Sequence, residues 1–532
     1  MLIRKIQPFF IILILLTLHA AIVAQECSNF EQIGNLGGEE GLHIQTTSKY
    51  RLLGGSFQQV ANIHNNTLNS KGDSDGWLSL QDDQQNTFWA AQIASPKAIE
   101  FVDLKLDSIQ NKIYALGSFS DSLWIGNQSF YSASNSIFVI QYSIQGKVLW
   151  VKIFGASHFA KPSELLISNS NIYLTGSYQD SLEIDTVSLY NTGSKNAFIL
   201  KFDTTGQALW GYSFDQTRFA EGISLTNSQQ GDIYWVGNFR GQLIAGQNSF
   251  EANVVYPNIF LSKLSPNGQL RWTKSFGGVY SNEVGAIRYY NNQLFLAGQF
   301  MGVLQLGQSK LATAYRYYDI FLSQLDTSAN PVWATQSNSH KAHCWFKGLD
   351  INQQKIGLVG GFEDYLRIED QQIVSKNKID GFYGQFTTNG NLTYLQGIGS
   401  NGNDLAHSLS ISSKKPLIIG TFQDSLSCIQ NYIAKGYSDA FLLESSNSSN
   451  VSVITTQAKL IDATLFPSPS QDSVFIQIAN SNQLHWQLYN TNGQLVLEGH
   501  NLHFSLKNLT TGFYSLLLNN EEGFAVLKVV KN

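Results

Sequence analysis

Short apolar runs alternate with polar turns along nearly the whole chain. The runs are brief and rich in β-branched and aromatic residues, a pattern of strands rather than helices. One run, IYLTGSY at 172–178, returns as LLGGSF, IYALGSF, IYWVGNF, LFLAGQF, IGLVGGF and LIIGTF. Its glycines are Gly55, Gly117, Gly176, Gly237, Gly298, Gly360 and Gly420. A second run, NAFILKF, places a ring at Trp77, Phe138, Phe198, Phe260, Phe321, Phe382 and Phe441. A third aromatic recurs at Trp89, Trp150, Trp210, Trp272, Trp333 and Tyr394. All three markers keep a period of about 60 residues, the mark of a repeat architecture.

Each unit reads as four strands joined by tight turns such as DTTG and SPNG, the make-up of a propeller blade. Apolar residues at successive strand positions fit sheets covered on both faces. A mid-strand glycine weakens a strand unless something approaches closely, and the repeated one is expected to make room for a ring of the adjacent blade. The seventh copy stops after DAFLLES, short of its aromatic strand. SNFEQIGNLGGEEGLHI near the chain start matches ALWGYSFDQTRFAEGISL, with Phe30 in the place of Trp210. The fold class expected is therefore all-β: a seven-bladed β-propeller over 25–446, closed by an N-terminal strand that leaves no sheet edge open, followed by a small C-terminal β-sandwich. The unit NAFILKFDTTGQALWGYSF resembles the SBBP family of β-propeller repeats, a resemblance that implies fold and no particular activity. Tyr394 in place of Trp, and Ser136 where other copies have Asp or Asn, depart from its pattern.

Both ends of the chain read differently. Arg4 and Lys5 precede an apolar stretch and Ala24 offers a cleavage position, so 1–24 is expected to be a signal peptide. Glu26 before Cys27 does not suit a lipid-attachment motif, and no transmembrane segment is expected in the mature protein. Residues 447–460, rich in Ser, Asn and Thr, read as a linker. Beyond it, 461–532 shows short alternating strands. The order LFPSPSQDSVFIQI, LYNTNGQLVLEG, LKNLTTGFYSLLL and a basic last strand resembles the type A C-terminal sorting domain of the type IX secretion system. On that resemblance Pro467, Pro469, Gly493, Gly512, Lys528 and Lys531 are its motif residues. Phe466-Pro467-Ser468-Pro469 departs from the usual aromatic-Pro-Asn-Pro. The resemblance implies secretion machinery as a partner, a Bacteroidetes-type source, and a place outside the cell or on its outer surface.

Composition then narrows the chemistry. A formal net charge of -5 with 14% charged residues provides no basic footprint for nucleic acid. Cys27, Cys344 and Cys428 allow at most one bridge, and a Cys27–Cys428 pairing would lock the closing blade. Asp73 and Asp75 suit a turn better than a calcium loop, and His343 beside Cys344 does not specify zinc. DSL at Asp121, Asp180 and Asp424 is either a turn or an O-glycan acceptor. Asp203, Gly206 and Trp210 lack the Asp-box spacing of sialidases, and only eight Arg are available for a carboxylate clamp.

Two groups of residues remain as candidate sites. An acid follows the outer aromatic at Glu40, Glu100, Glu164, Glu221, Glu283 and Asp404, with His343 in the remaining blade. These acids are expected either to accept backbone N–H groups or to rim a channel that holds calcium or a polar ligand. Two segments, YRYYD and SHKAHCW, break the repeat and bring Tyr315, Tyr317, Tyr318, His343 and Trp345. Aromatic loops of this kind suit a glycan or a protein ligand. A non-enzymatic secreted binding or adhesion module is the expected function. A propeller glycoside hydrolase and a structural surface spacer are the alternatives. No catalytic residue, resident metal or cofactor is assigned.

Overall fold

The repeated glycine and the repeated ring meet across two neighbouring strands, and this pairing organises each group. The computed structural model describes residues 27–35, 37–313, 316–339, 342–411, 415–427, 431–445, 463–478, 484–490, 495–520 and 523–532. Every regular element among them is a β-strand. Gly55 lies opposite Trp77, Gly117 opposite Phe138, Gly176 opposite Phe198 and Gly237 opposite Phe260. Gly298, Gly360 and Gly420 face Phe321, Phe382 and Phe441 in the same register. The ring is therefore carried by the next strand of the same sheet, not by an adjacent group as the repeat suggested. A Cβ on Gly237 would lie 2.6 Å from the Phe260 ring and would overlap the carbonyl oxygen of Glu221 on the other side. The preceding strand bulges at this point, with register shifts at Gly41/His43, Phe101/Asp103 and Gly222/Ser224, and the bulge pushes that carbonyl toward the glycine.

Strands Ala160–Ser168, Asn171–Tyr178, Asn196–Asp203 and Ala208–Ser213 pair antiparallel in chain order. The same order recurs along the first of two compact units, Met1–Asn447 and Ser448–Asn532. In one group the order is completed from the chain start. Leu405–Ile411, Pro416–Phe422 and Asp439–Ser445 take Cys27–Ile33 as their fourth strand, with Phe30 opposite Leu443. Phe30 packs on Phe441 and Tyr432. The register that Trp150 and Trp210 fill opposite Gln141 and Lys201 falls here to Asn29, opposite Glu444, so Phe30 does not take the place of Trp as the repeat suggested.

Neighbouring groups are latched by the outer Trp. Trp89, Trp150 and Trp210 donate Nε1–H to the carbonyls of Ile144, Thr204 and Pro266 at 2.9, 3.1 and 3.2 Å. The turn glycine of each receiving hairpin lies on the Trp face: Gly146, Gly206 and Gly268, at φ of 80, 85 and 81°. Only glycine meets both demands, a left-handed φ and no Cβ against the ring.

An acid, Asn or Ser begins the third-strand pairing of every group, and Asp75, Asp380 and Asp439 cap the turn before it. Asp75 accepts N–H bonds from Lys71 and Ser95, which gives GDSDGW a turn role. Asp121, Asp180 and Asp424 of the DSL segments all have φ of 60–76°, as tight turns require. Beside the strand that closes the last group, the capping acid Asp439 meets a second buried carboxyl, Glu39. A Cβ on Gly34 would lie 2.6 Å from Asp439 Cγ and 2.9 Å from Glu39 Oε2. Asp380 and Asp404 form the equivalent pair on the other flank of the same group, where Gly399 leaves room for Asp380.

The second unit has two sheets. One contains Ala463–Phe466, Ser473–Ile478 and His503–Ser505; the other runs Leu495–Gly499, His485–Tyr489, Gly512–Asn520, Gly523–Lys531. Val474, Phe504, Trp486, Leu516 and Val529 bring both sheets into one apolar core. Pro467 and Pro469 follow cis peptide bonds, and Gly512 has φ of 155°. Lys531 is buried, with Nζ donating to the carbonyls of Leu506, Lys507 and Leu509, so its charge is solvated by backbone. Lys528 lies 4.0 Å from the Phe513 ring centroid. Ala24, Gly493, Cys428 and the linker residues 447–460 lie outside the described residues.

Two outcomes follow from this packing. Gly237→Ala forces the Glu221 carbonyl and Phe260 apart and should lower stability by about 2–3 kcal/mol, read from denaturant unfolding; an unchanged midpoint would contradict the close-approach account. The Glu39–Asp439 pair makes stability pH-dependent. Burial, then the Asp439 carboxylate, raise Glu39 from 4.5 to about 8, against opposing N–H groups of Asn35 and Gly37. Asp439 is itself raised by burial, with Gln32, Lys435 and Gly436 opposing. The folded state therefore holds these protons more tightly than the unfolded chain. Their contribution is present below pH 4.5 and is lost as pH rises toward 8. The melting temperature should fall across that window, and by less in Glu39→Gln; parallel curves for the two proteins would count against the pair.

Candidate functional site

The first strands of the groups together line a cavity of about 970 Å³. Their side chains stitch one strand to the next. Asp103 accepts the Leu165 N–H at 2.8 Å, Glu164 that of Leu225 at 2.7 Å, and Asp350 that of Ile411 at 2.7 Å. Gln45 and Ser410 do the same for Leu106 and Thr46. Two cations balance two of these acids: Lys105 lies 3.1 Å from Asp103, and Arg288 lies 3.1 Å from Glu164.

The acids expected as one ring divide into three positions. Glu40, Glu100, Glu221 and Glu283 share a register, one residue before the bulge and opposite Ser56, Ser118, Asn238 and Gln299. Lys161, Trp345 and Leu405 occupy that register in the other groups. Asp404 sits one position earlier, the place of Glu39, and is buried. Glu164 lies beyond the bulge, in the cavity wall. A ring of equivalent acids is thus not formed.

The rim acids are also largely engaged. Glu100 pairs with Lys161 at 2.5 Å and Glu221 with Lys195 at 2.9 Å. Glu40 accepts from Ser56 at 2.9 Å, and shares with Glu100 a cleft of about 390 Å³. Burial raises Asp404 to about 6, although the N–H groups of Ser400 and Gln423 hold it down. Among the described residues no three His, Cys, Asp or Glu side chains converge as a metal site requires.

The aromatic residues that break the repeat do come together. His343 lies 5.4 Å from Tyr317, 5.9 Å from Tyr318 and 5.5 Å from Trp345, the last nearly parallel at 19°. All four are half-buried. The Tyr318 N–H reaches His343 Nδ1 at 3.3 Å, which leaves the ring proton of the neutral imidazole on Nε2. Tyr318 donates its hydroxyl to Glu283 at 3.1 Å, and Glu283 also accepts from Ser281 at 2.7 Å and Gln299 at 2.9 Å. Gln299 in turn accepts the Phe346 N–H at 3.3 Å. Burial raises the Tyr318 phenol, and the Glu283 charge adds to it, so the hydroxyl stays protonated. Tyr315 lies outside the described residues. Cys344 is free, buried beneath this cluster, and raised well above the ordinary thiol value by burial and Asp319.

Sequence reasoning missed the bases in the cavity. Lys105 and Arg288 lie in the wall, and His43, Lys347 and His407 lie at or beside the bulge. Their signal was available in the repeat: the bulge position holds the uncharged Leu42, Val102, Ser163, Ile223 and Gly285 in the other groups, and Lys347 and His407 bring a base there.

No helix among the described residues is long and apolar enough to cross a membrane. No curated protein sequence matches the chain. Among solved structures it is similar to puromycin hydrolase, at 8% identity and a TM-score of 0.42, covering 75% of this chain and 54% of that one. It is also similar to phage phi92 endosialidase, at 9% and 0.34, covering 94% and 87%. Trypanosoma rangeli sialidase matches at 8% and 0.33, covering 84% and 86%. The chain thus spans about half the length of the puromycin hydrolase chain, 54%. Residues 464–532 match the secretion system C-terminal sorting domain, and this tail marks the protein for type IX export to the cell surface or the extracellular space.

Proposed function

We propose that the protein is a secreted or surface-held binding module whose ligand, a glycan or a protein, docks on the aromatic cluster of Tyr317, Tyr318, His343 and Trp345. In this reading 1–24 is removed as a signal peptide, 25–446 form a seven-bladed β-propeller of SBBP type closed by Cys27–Ile33, 447–460 are a linker, and 461–532 are a β-sandwich. The recurring four-strand order and the pairing of Phe30 with Leu443 support the closed ring. The two sheets with one core support the sandwich.

The observation that carries the binding role is the half-buried stack of His343 on Trp345 at 5.5 Å, flanked by two Tyr. Flat, partly exposed rings held in place by packing offer a face to a sugar or to an apolar side chain at little entropic cost. Glu283 acts as a positioning group, because its three donors fix Tyr318 beneath the stack. Hydrolysis of a glycoside would call for two carboxyls converging at about 5–9.5 Å on one substrate. Of the acids at the cluster, Glu283 is already engaged by Ser281, Gln299 and Tyr318, and Glu363 accepts the His343 N–H at 3.5 Å.

A glycan array and a surface-protein pull-down with the mature first unit test the reading. Trp345→Ala should weaken binding of any ligand found about tenfold or more, while Trp345→Phe retains most of it. Full binding by a folded Trp345→Ala protein would remove the cluster as the seat. The export route has its own check. Deleting 461–532 should leave the protein in the periplasm, as fractionation and immunoblotting would show, and its unchanged appearance outside the cell would overturn the role of the tail.

A further inference from the structure

The bases on the cavity wall are of two kinds. Lys105 and Arg288 face Asp103 and Glu164 at ion-pair distance. Lys347 and His407 have no such carboxylate among the described residues. They lie on neighbouring strands, Cys344–Asn352 and Leu405–Ile411, and His43 follows on Glu39–Thr46. All three line the same cavity. Lys347 is exposed to cavity solvent, and partial desolvation lowers its ammonium from the ordinary value. The acid that opposes this is Glu40 at the rim. Burial pushes His407 down to about 3, and the charges of Lys347 and His43 push it the same way. His43 is lowered to about 4 by burial, with Asp103, 3.8 Å away, opposing and Lys105 assisting. At neutral pH the corner therefore holds one solvent-reached cation and two neutral imidazoles.

We propose that Lys347, His407 and His43 form a binding site for the carboxylate or sulfate group of a small anionic ligand that occupies the cavity. An ammonium that lines the cavity with no carboxylate at ion-pair distance is free to take an anion, and the protein wall screens that attraction less than bulk water does. Each neutral imidazole can donate one N–H to the anion, and a bound negative charge raises its affinity for a second proton. Binding is thus coupled to proton uptake and strengthens as pH falls. The volume, about 970 Å³, suits a ligand of one to a few sugar rings rather than a macromolecule.

Titration calorimetry of the mature first unit with glucuronate, sulfate and glucose tests this, run in buffers of different ionisation enthalpy. Glucuronate should bind with net proton uptake and glucose should not bind. Sulfate binding as well would mean the anion alone suffices; glucuronate without sulfate would mean a carboxylate on a sugar is required. Lys347→Met should weaken binding at least tenfold and Lys347→Arg should preserve it, so charge is separated from misfolding. His407→Gln should reduce the protons taken up. A folded Trp345→Ala protein should bind glucuronate as the parent does, which keeps this site distinct from the aromatic cluster. No anion binding up to about 10 mM, equal binding of glucose, or unchanged affinity in Lys347→Met would each overturn the proposal.

Discussion

The close approach of one backbone carbonyl to a bare glycine sets the geometry of every group. At Gly55, Gly117, Gly237, Gly360 and Gly420 a Cβ would collide with the carbonyl of the first strand and with the ring opposite. Because that space is empty, the first strand can bulge there. The bulge turns the residues before it toward the rim and those after it toward the cavity. Neighbours in sequence, such as Trp345 and Lys347, are thereby delivered to different chemical settings.

Most polar side chains of the repeat are consumed in holding this arrangement. Asp103, Glu164 and Asp350 each accept an N–H from the next first strand. Asp75, Asp319 and Asp380 satisfy the backbone where the third strand begins. A buried acceptor without a donor would cost about 1–3 kcal/mol, so acids at repeated positions are expected to be engaged, and Glu100 and Glu221 are engaged even at the rim. Regularity in this chain is therefore a sign of structural work. Departures from it are better guides to function.

The β-strand make-up and the recurrence of glycine and ring are legible in the sequence, whereas their pairing is not: the sequence suggests a ring from an adjacent group, and the ring is on the next strand of the same sheet. The aromatic cluster was legible too, since YRYYD and SHKAHCW break the pattern and the structure stacks His343 on Trp345. The acids were misread for a physical reason. The spacing that leads from Trp89 to Glu100 leads from Trp150 to Lys161, yet Glu164 was taken because it is an acid. The bulge between Pro162 and Glu164 puts it in another ring of positions. Bulge geometry leaves no mark in composition, so nothing local in the sequence places Lys347 and His407 in the cavity wall. Partners across the groups, such as Glu39 with Asp439, depend on three-dimensional packing and had no local signal at all.

One strand concentrates the departures. In Cys344–Asn352, Cys344 stands where other groups have Glu39, Ile99, Ala160, Ala220, Asn282 and Asp404. Trp345 stands where four groups have an acid, and Lys347 where the other groups have Leu42, Val102, Ser163, Ile223, Gly285 and His407. None of these changes improves the packing that the other groups achieve. A tryptophan at the rim leaves apolar surface half exposed, and a lysine in the wall faces the cavity without an ion pair. Two departures of opposite kind, one apolar and one charged, thus lie on one strand on either side of one bulge. They fit a strand that has kept the glycine contact of Gly360, and with it the fold, while its two free positions were turned to recognition.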